Sequence, residues 1–212
     1  MEWLLTLATA TALFVLFCTS EAALHRGVRA EVTRRLAHVV GAGTVATFPL
    51  YLQLRDVLLL AAGFTLFLTY TWIRGSLRSI HAVVRPSIGA PLLPIGLWFA
   101  ALAAWGHPGA FAFAALVLAC ADPAAATVGN LVTSPGWRVI GGKKSLSGSL
   151  IVFIVSVALA TMFRLASGDM LSLKVFAAAG ILTLIEGSLG YGLDNVLLPL
   201  TAAILGETLL GL

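Results

Sequence analysis

Residues 109–128 read GAFAFAALVLACADPAAATV, and Asp122 is the only charged side chain among them. A helix of about 20 apolar residues is long enough to span the hydrocarbon core of a bilayer. We therefore interpret this run as a transmembrane helix that carries one carboxylate. Because a charge inside a membrane-spanning segment is costly, it usually marks a functional site.

Similar apolar runs fill most of the chain. Of its 212 residues, 59% are hydrophobic and 10% are charged, whereas about 25% of the residues of a soluble domain are charged. We predict an all-α, polytopic integral membrane helix bundle with about seven or eight transmembrane helices, and residues 1–212 forming a single transmembrane domain. Acidic residues interrupt the last two runs. The runs cover approximately residues 3–19, 36–53, 57–73, 88–105, 109–128, 147–165, 171–189 and 193–211.

The positive charges alternate between successive loops. Ten of the thirteen Lys and Arg residues fall in the loops that follow the first, third and fifth runs. Since basic loops stay cytoplasmic, we predict that the N-terminus is outside and that the polar clusters are cytoplasmic. The first run reads as a retained helix, and the absence of an organellar transit peptide favours a prokaryotic plasma membrane. The scattered basic residues argue against nucleic-acid binding.

Asp122 precedes Pro123, which predicts a kinked or broken helix that lines a polar cavity. A carboxylate in such a cavity suits Mg²⁺, which takes one or two carboxylates and completes its shell with water and substrate phosphates. Alternatively, Asp122 is structural and pairs with a lysine or caps a helix.

A second polar segment, residues 141–149, reads GGKKSLSGS. Glycine lets backbone amides approach an anion, Lys143 and Lys144 offer point charges to phosphate, and the serines can cap the next helix. We predict that the start of this helix binds phosphate. Alternatively, the loop is basic only because it is cytoplasmic. The G-x-x-x-x-G-K-[ST] pattern of a Walker loop is absent.

A third polar segment joins the last two runs. Glu186 ends one run, and Asp194 and Asn195 open the next. The two carboxylates are candidates for a second metal ligand or a base, although Asp194 is equally well placed as a helix cap. Two basic positions are also candidates: Arg34 with His38, which share a helix face, and Arg85 before a proline. His38 suits a general base, a phosphate ligand or a packing residue.

These segments resemble, in order, the motifs of the CTP-dependent polyprenol kinases, which include dolichol and phytol kinases and their prokaryotic relatives. The matches run from residue 34 to about residue 200. Two positions depart from the family pattern: Ala121 stands where the family has Gly, and Ser147 where it has Glu. The matching segments are Arg34-Arg35-Leu36-Ala37-His38, Arg85-Pro86-Ser87-Ile88-Gly89 with Leu93-Pro94-Ile95-Gly96, Asp122-Pro123-Ala124-Ala125 with Gly129, Lys143 to Ser149, and Glu186-Gly187-Ser188 with Gly192-Leu193-Asp194-Asn195.

The resemblance implies a transmembrane kinase domain that transfers phosphate from CTP to the hydroxyl of a lipid alcohol at the cytoplasmic face. It implies Mg²⁺ held by Asp122, Glu186 and Asp194. The expected catalytic residues are His38, Asp122, Lys144, Glu186 and Asp194. The expected nucleotide-binding residues are Arg34, Arg85, Asn130, Gly142, Lys143, Lys144, Ser145, Ser147, Gly148 and Asn195. Its partners would be the lipid alcohol, the nucleotide and membrane lipids, with a homo-oligomer possible.

Two other functions fit parts of the sequence. A phosphatidate-type cytidylyltransferase would also use CTP and Mg²⁺, but it would release pyrophosphate. A small cation-coupled transporter would also place a carboxylate in a broken helix, although nearer the midplane of the bilayer. The identity of the alcohol does not follow from the sequence.

Overall fold

The computed structural model describes residues 2–81, 88–170 and 172–212. Its elements are α1 (Glu2–His25), α2 (Ala30–Val45), α3 (Leu54–Ile73), α4 (Arg78–His81), α5 (Gly89–Ala104), α6 (Pro108–Leu131), β1 (Gly136–Val139), β2 (Gly142–Ser145), α7 (Leu146–Ala166), α8 (Leu173–Ser188) and α9 (Asp194–Leu205). A 3-10 turn, Phe48–Leu50, follows α2, and a π-helical turn, Gly206–Leu210, follows α9.

The prediction of a helical membrane bundle is confirmed. Each of the eight apolar runs overlaps one of the longer helices. Among the described residues, four of these helices are long and apolar enough to cross a membrane, namely α1, α3, α6 and α7, and α5 is a shorter apolar helix. The number of helices that actually span the bilayer stays a prediction.

Helix α6 lies at the centre of the bundle, where it packs against α2, α7 and α9. Its side chains Phe111, Phe113 and Leu118 are fully buried. Small residues allow other helices to approach closely, as is common in membrane bundles. A Cβ on Gly96 of α5 would lie 2.0 Å from the carbonyl oxygen of Asn195, so glycine is what lets α5 and α9 meet here.

Two local predictions are wrong. Helix α6 is not broken at Pro123 but continues through it, although proline removes one backbone hydrogen bond; Ala121 and Ala125, two positions before and after Pro123, are buried. The segment between α6 and α7 is not an irregular loop, because β1 and β2 pair as an antiparallel hairpin in which Trp137 faces Lys144 and Arg138 faces Lys143. Gly141, at the turn, has a φ of 73°, which suits glycine.

Candidate active site

Three carboxylates meet at one end of the bundle. Asp122 comes from α6, Glu186 from the end of α8 and Asp194 from the start of α9, and one oxygen of each lies within 4.8 Å of the others. We call these three residues the acidic cluster. Its members are separated by up to 72 positions in the sequence, so only the tertiary fold brings them together.

Lys144 supplies the positive charge beside the acidic cluster. Its Nζ lies 2.5 Å from Glu186 Oε1 and 3.0 Å from Asp194 Oδ2. These three side chains are at most 15% exposed, so their charges interact more strongly than in water. Burial lowers the pKa of the Lys144 ammonium, but the negative charges of Asp194 and Glu186 outweigh that effect and raise the pKa above its ordinary value. Lys144 is therefore charged at neutral pH.

The alternation of side chains along the hairpin explains why only one of the two lysines reaches the carboxylates. Successive residues of a strand point to opposite faces. Lys144 and its cross-strand neighbour Trp137 share the inner face, and the indole Nε1 of Trp137 donates a 2.7 Å hydrogen bond to the Gly187 carbonyl. Lys143 and its neighbour Arg138 share the outer face and are exposed. Lys143 and Lys144 therefore lie on opposite faces of the hairpin, so the predicted binding of phosphate by both lysines needs two separate surfaces.

Glycines allow the loop that joins α8 to α9 to pack closely against the hairpin and against the start of α5. A Cβ on Gly190 would lie 2.4 Å from the Ile140 carbonyl oxygen, and a Cβ on Gly192 would lie 2.4 Å from the Cα of Gly89. Gly192 (φ 94°) and the preceding Tyr191 (φ 59°) both adopt left-handed conformations. A non-glycine residue in this conformation is costly and is often found at functional sites. This backbone path positions Asp194 beside Glu186 and Lys144.

The acidic cluster is suited to a hard divalent cation. Oxygen atoms are the ligands that Mg²⁺ prefers, and it commonly uses few carboxylates together with substrate phosphates and water. Glu186 is 4% exposed, and its Oε2 has no hydrogen-bond partner among the described residues. A buried carboxylate oxygen without a partner is unusual, and a bound cation would satisfy it. Asp122 is half-buried and makes no hydrogen bond to any described residue, so it too is available as a ligand.

The start of α7 already has partners for its first backbone amides. The N–H groups of Leu146 and Ser147 donate to Pro135 O and Ser134 Oγ, and that of Gly148 donates to Ser145 Oγ. Ser145 therefore caps the helix, as predicted. A phosphate at this helix start would have to replace these acceptors, so the amide groups are not open for the predicted anion binding. Ser147 Oγ also lies 2.9 Å from Ser134 Oγ.

The remaining predicted residues lie in several different parts of the structure. Asn130 is exposed and its amide lies 3.5 Å from Glu31, so it is not brought to the carboxylates. Gly142 belongs to β2, and Arg85 lies outside the described residues. Arg34, His38 and Asn195 line an apolar pocket described below. His38 Nε2 lies 2.9 Å from the Leu118 carbonyl oxygen; since that oxygen only accepts, Nε2 carries the proton and Nδ1 is left as the basic nitrogen.

The comparison with known proteins agrees with the motifs. Over 187 aligned residues, the chain is 29% identical to a phytol kinase of Synechocystis sp., and the alignment covers 83% of this chain and 78% of that protein. The chain is thus similar to a phytol kinase over most of its length. The family relationship predicted from the motifs is thereby confirmed, and it supports a membrane-bound kinase. No family model matches the chain, and no solved structure matches it.

The structure shows contacts between elements for two residues that the predicted site residues left out. Trp137 fastens the hairpin that carries Lys144. Arg35 joins α2 to α6 by donating to Thr127 Oγ1 at 2.8 Å, and it also pairs with Glu31 on its own helix. Arg35 was visible in the Arg34–His38 motif, but Trp137 gave no signal because its role depends on the hairpin.

Proposed function

We propose that this protein is a kinase that transfers the γ-phosphate of a nucleoside triphosphate, CTP by resemblance, to the hydroxyl of an isoprenoid alcohol. The observation that carries the proposal is the acidic cluster with Lys144 at one end of an apolar helix bundle. The similarity to a phytol kinase supports the same reaction class. We place this end of the bundle on the cytoplasmic side because the adjoining loops carry most of the basic residues.

Asp122, Glu186 and Asp194 would hold Mg²⁺. When bound, the ion would neutralise the negative charge on the phosphates. Lys144 would add a fixed positive charge beside the phosphates. In the absence of the ion, it would keep the carboxylates in place. Phosphoryl transfer depends mainly on such positioning and on charge stabilisation. The chain itself therefore offers the charges that the reaction needs at one point.

The reaction itself requires one proton acceptor. The alcohol oxygen forms a bond to the γ-phosphorus, the bond from that phosphorus to the β-phosphate oxygen breaks, and the nucleoside diphosphate leaves. The hydroxyl proton passes to a base. His38 is our candidate for this base through Nδ1, because Nε2 is engaged by the Leu118 carbonyl.

The outer face of the hairpin is our candidate for a second contact with the nucleotide, distinct from the acidic cluster beside which the reacting phosphate would lie. Arg138 and Lys143 face each other across the strands and are exposed. Like charges directly opposite each other destabilise a strand pair, so a polyanion that binds both would relieve their repulsion. This assignment adds Arg138 to the nucleotide-binding residues predicted from the sequence.

A transfer assay tests the proposal. Purified protein in liposomes is incubated with γ-labelled CTP or ATP, Mg²⁺ and a panel of isoprenoid alcohols, and label in the lipid fraction is measured. We expect Asp122→Asn to lower the rate about 100-fold or more, since it removes an electrostatic contact at the reacting phosphates. Asp169→Asn is the matched control, because Asp169 is exposed and pairs with Arg164 away from the site.

The same assay separates the alternatives. Label that appears in the alcohol and is lost with Asp122→Asn supports the kinase. Labelled pyrophosphate released after addition of phosphatidate, with the lipid unlabelled, would establish a cytidylyltransferase instead. If no substrate is turned over and nucleotide leaves the melting temperature unchanged, the kinase proposal is wrong and a transporter becomes the better interpretation.

A further inference from the structure

An apolar pocket extends from the active-site end of the bundle between α1, α2, α3 and α5. One face of α2 lines it over almost the whole helix. The spacing of these positions, three and four residues apart, places them in one row along the helix. They are Arg34, Ala37, His38, Gly41, Ala42 and Val45.

The end of the pocket near the active site is polar. Asn195, which follows Asp194 of the acidic cluster, lines the pocket and is 8% exposed. Its Nδ2 donates a 2.8 Å hydrogen bond to the Gly89 carbonyl, which fixes the orientation of the amide, and its Oδ1 has no partner in the part of the chain that the structure describes. Arg34, in the first turns of α2, also lines the pocket, and its buried Nε has no partner among residues 2–81, 88–170 and 172–212.

These two unpartnered atoms suit a hydroxyl group. A buried polar atom without a partner is costly, and here one is an acceptor and the other a donor. A hydroxyl group donates one hydrogen bond and accepts others. An alcohol whose hydrocarbon tail occupies the pocket would place its hydroxyl group at the polar end of the pocket, beside Asn195.

We propose that this pocket is the binding site of the alcohol substrate, with Asn195 Oδ1 accepting the hydrogen bond of the hydroxyl as the alcohol binds, before the hydroxyl rotates to give its proton to His38 Nδ1. The inference rests on the proposed function and identifies the substrate class more closely. It changes the role of Asn195 from a nucleotide contact to a residue that positions the alcohol.

The far end of the pocket limits the length of the tail. Phe48, after the end of α2, and Val57, near the start of α3, line the pocket and are each 2% exposed. Arg34 and Val45 are eleven positions apart, so the α2 face extends about 16 Å at 1.5 Å per residue. The row of α2 side chains is thus as long as a few isoprene units, but the cavity volume is only about 100 Å³, so the surrounding helices must separate to admit such a tail, and most of a long polyprenol would remain outside. We expect short isoprenoid alcohols to be preferred.

Two glycines of α2 provide a matched test of the tail site. Gly41 lines the pocket, and Gly43 does not; a Cβ on Gly43 would meet no atom within 4 Å. We expect Gly41→Leu to raise the KM for a twenty-carbon isoprenoid alcohol about 10-fold or more. The KM for nucleotide and the turnover of a five-carbon alcohol should stay unchanged, and Gly43→Leu should match the unsubstituted protein. Melting temperatures without ligand establish that both variants fold.

A binding measurement tests the hydroxyl contact without any turnover. The alcohol and its methyl ether are compared by the rise in melting temperature that each produces. We expect the alcohol to bind about 5-fold more tightly than the ether, as one hydrogen bond provides, and the two to bind equally to Asn195→Ala. Because both ligands are compared within each variant, other effects of the substitution cancel.

The outcomes distinguish this inference from the proposed function. If phosphate reaches the alcohol but Gly41→Leu and Gly43→Leu behave alike, the pocket is not the tail site, although the kinase assignment stands. If the alcohol stabilises the protein in the expected pattern but receives no phosphate from any nucleotide, the binding site stands and the kinase assignment fails. If Asn195→Ala and the unsubstituted protein prefer the alcohol over its methyl ether by the same factor, the contact between Asn195 and the hydroxyl is excluded.

Discussion

Substitution of Gly96 by alanine tests whether the close approach of α5 and α9 sets the geometry of the active site. The added Cβ would lie 2.0 Å from the Asn195 carbonyl oxygen and 2.9 Å from Cγ of Pro199. Ordinary contact begins at 3.4 Å, so α9 has to move by about 1.4 Å relative to α5. Asn195 and the neighbouring Asp194 would move with it.

The magnitude follows from that displacement. A misplacement of about 1 Å in an active site costs on the order of 100-fold in rate, and we expect Gly96→Ala to lower kcat/KM by about that factor. Overpacking of a helix contact costs about 1–3 kcal/mol, which corresponds to several degrees in melting temperature. The loss of activity should therefore be much larger than the loss that partial unfolding at the assay temperature would cause.

The assay compares Gly96→Ala with Gly180→Ala in the same liposomes. Gly180 lies inside α8, and its added Cβ would meet no atom within 4 Å, so we expect a wild-type rate and a slightly higher melting temperature. Transfer of label to the lipid and thermal unfolding are measured for both. A Gly96→Ala protein with the rate and melting temperature of Gly180→Ala would refute the packing argument.

Two further substitutions test charged groups. Lys144→Met leaves the carboxylates of the acidic cluster without their counter-charge, and we expect it to destabilise the fold by about 3 kcal/mol. Thermal unfolding without Mg²⁺ measures this loss. As a check, the double variant that also carries Glu186→Gln should recover part of the lost stability. His81 donates to Thr71 Oγ1, and burial lowers its pKa despite the nearby charge of Glu21. Because the unfolded chain then binds the proton more readily, the stabilisation is complete above pH 6.5, the ordinary His pKa, and declines as the pH falls towards the folded-state pKa. His81→Gln should flatten this acid limb of the melting curve, and an unchanged limb would contradict the assignment.

The helical architecture was predictable because apolar length is a strong signal. Runs such as 109–128 and 147–165 can satisfy their backbone groups in lipid only as helices, and α6 and α7 cover both. The alternation of basic loops also indicated that Asp122, Lys144 and Glu186 belong to one end of the bundle. That convergence followed from topology, without any knowledge of side-chain contacts.

The details that the sequence did not reveal depend on tertiary contacts. Residues 136–145 show no alternation of apolar and polar side chains, so the hairpin and the separation of Lys143 from Lys144 had no local signal. Asn130 lies close to Asp122 in sequence, but two turns of α6 place it by Glu31 instead. Pro123 is compatible with a continuous helix because neighbouring helices pack against α6 on both sides.

The wide sequence separation within the acidic cluster has a consequence for how the protein is made. Asp122 leaves the ribosome 72 residues before Asp194, which at about 5–20 residues per second corresponds to roughly 4–14 s. During that interval α6 enters the membrane with a carboxylate whose later neighbours have not been synthesised. Nascent chains that end before the hairpin must therefore hold the Asp122 carboxylate near water, whereas chains that extend through α9 can complete its surroundings. Helix α9 is thus the element that completes the acidic cluster, and we predict that a chain shortened before α9 is inserted but inactive.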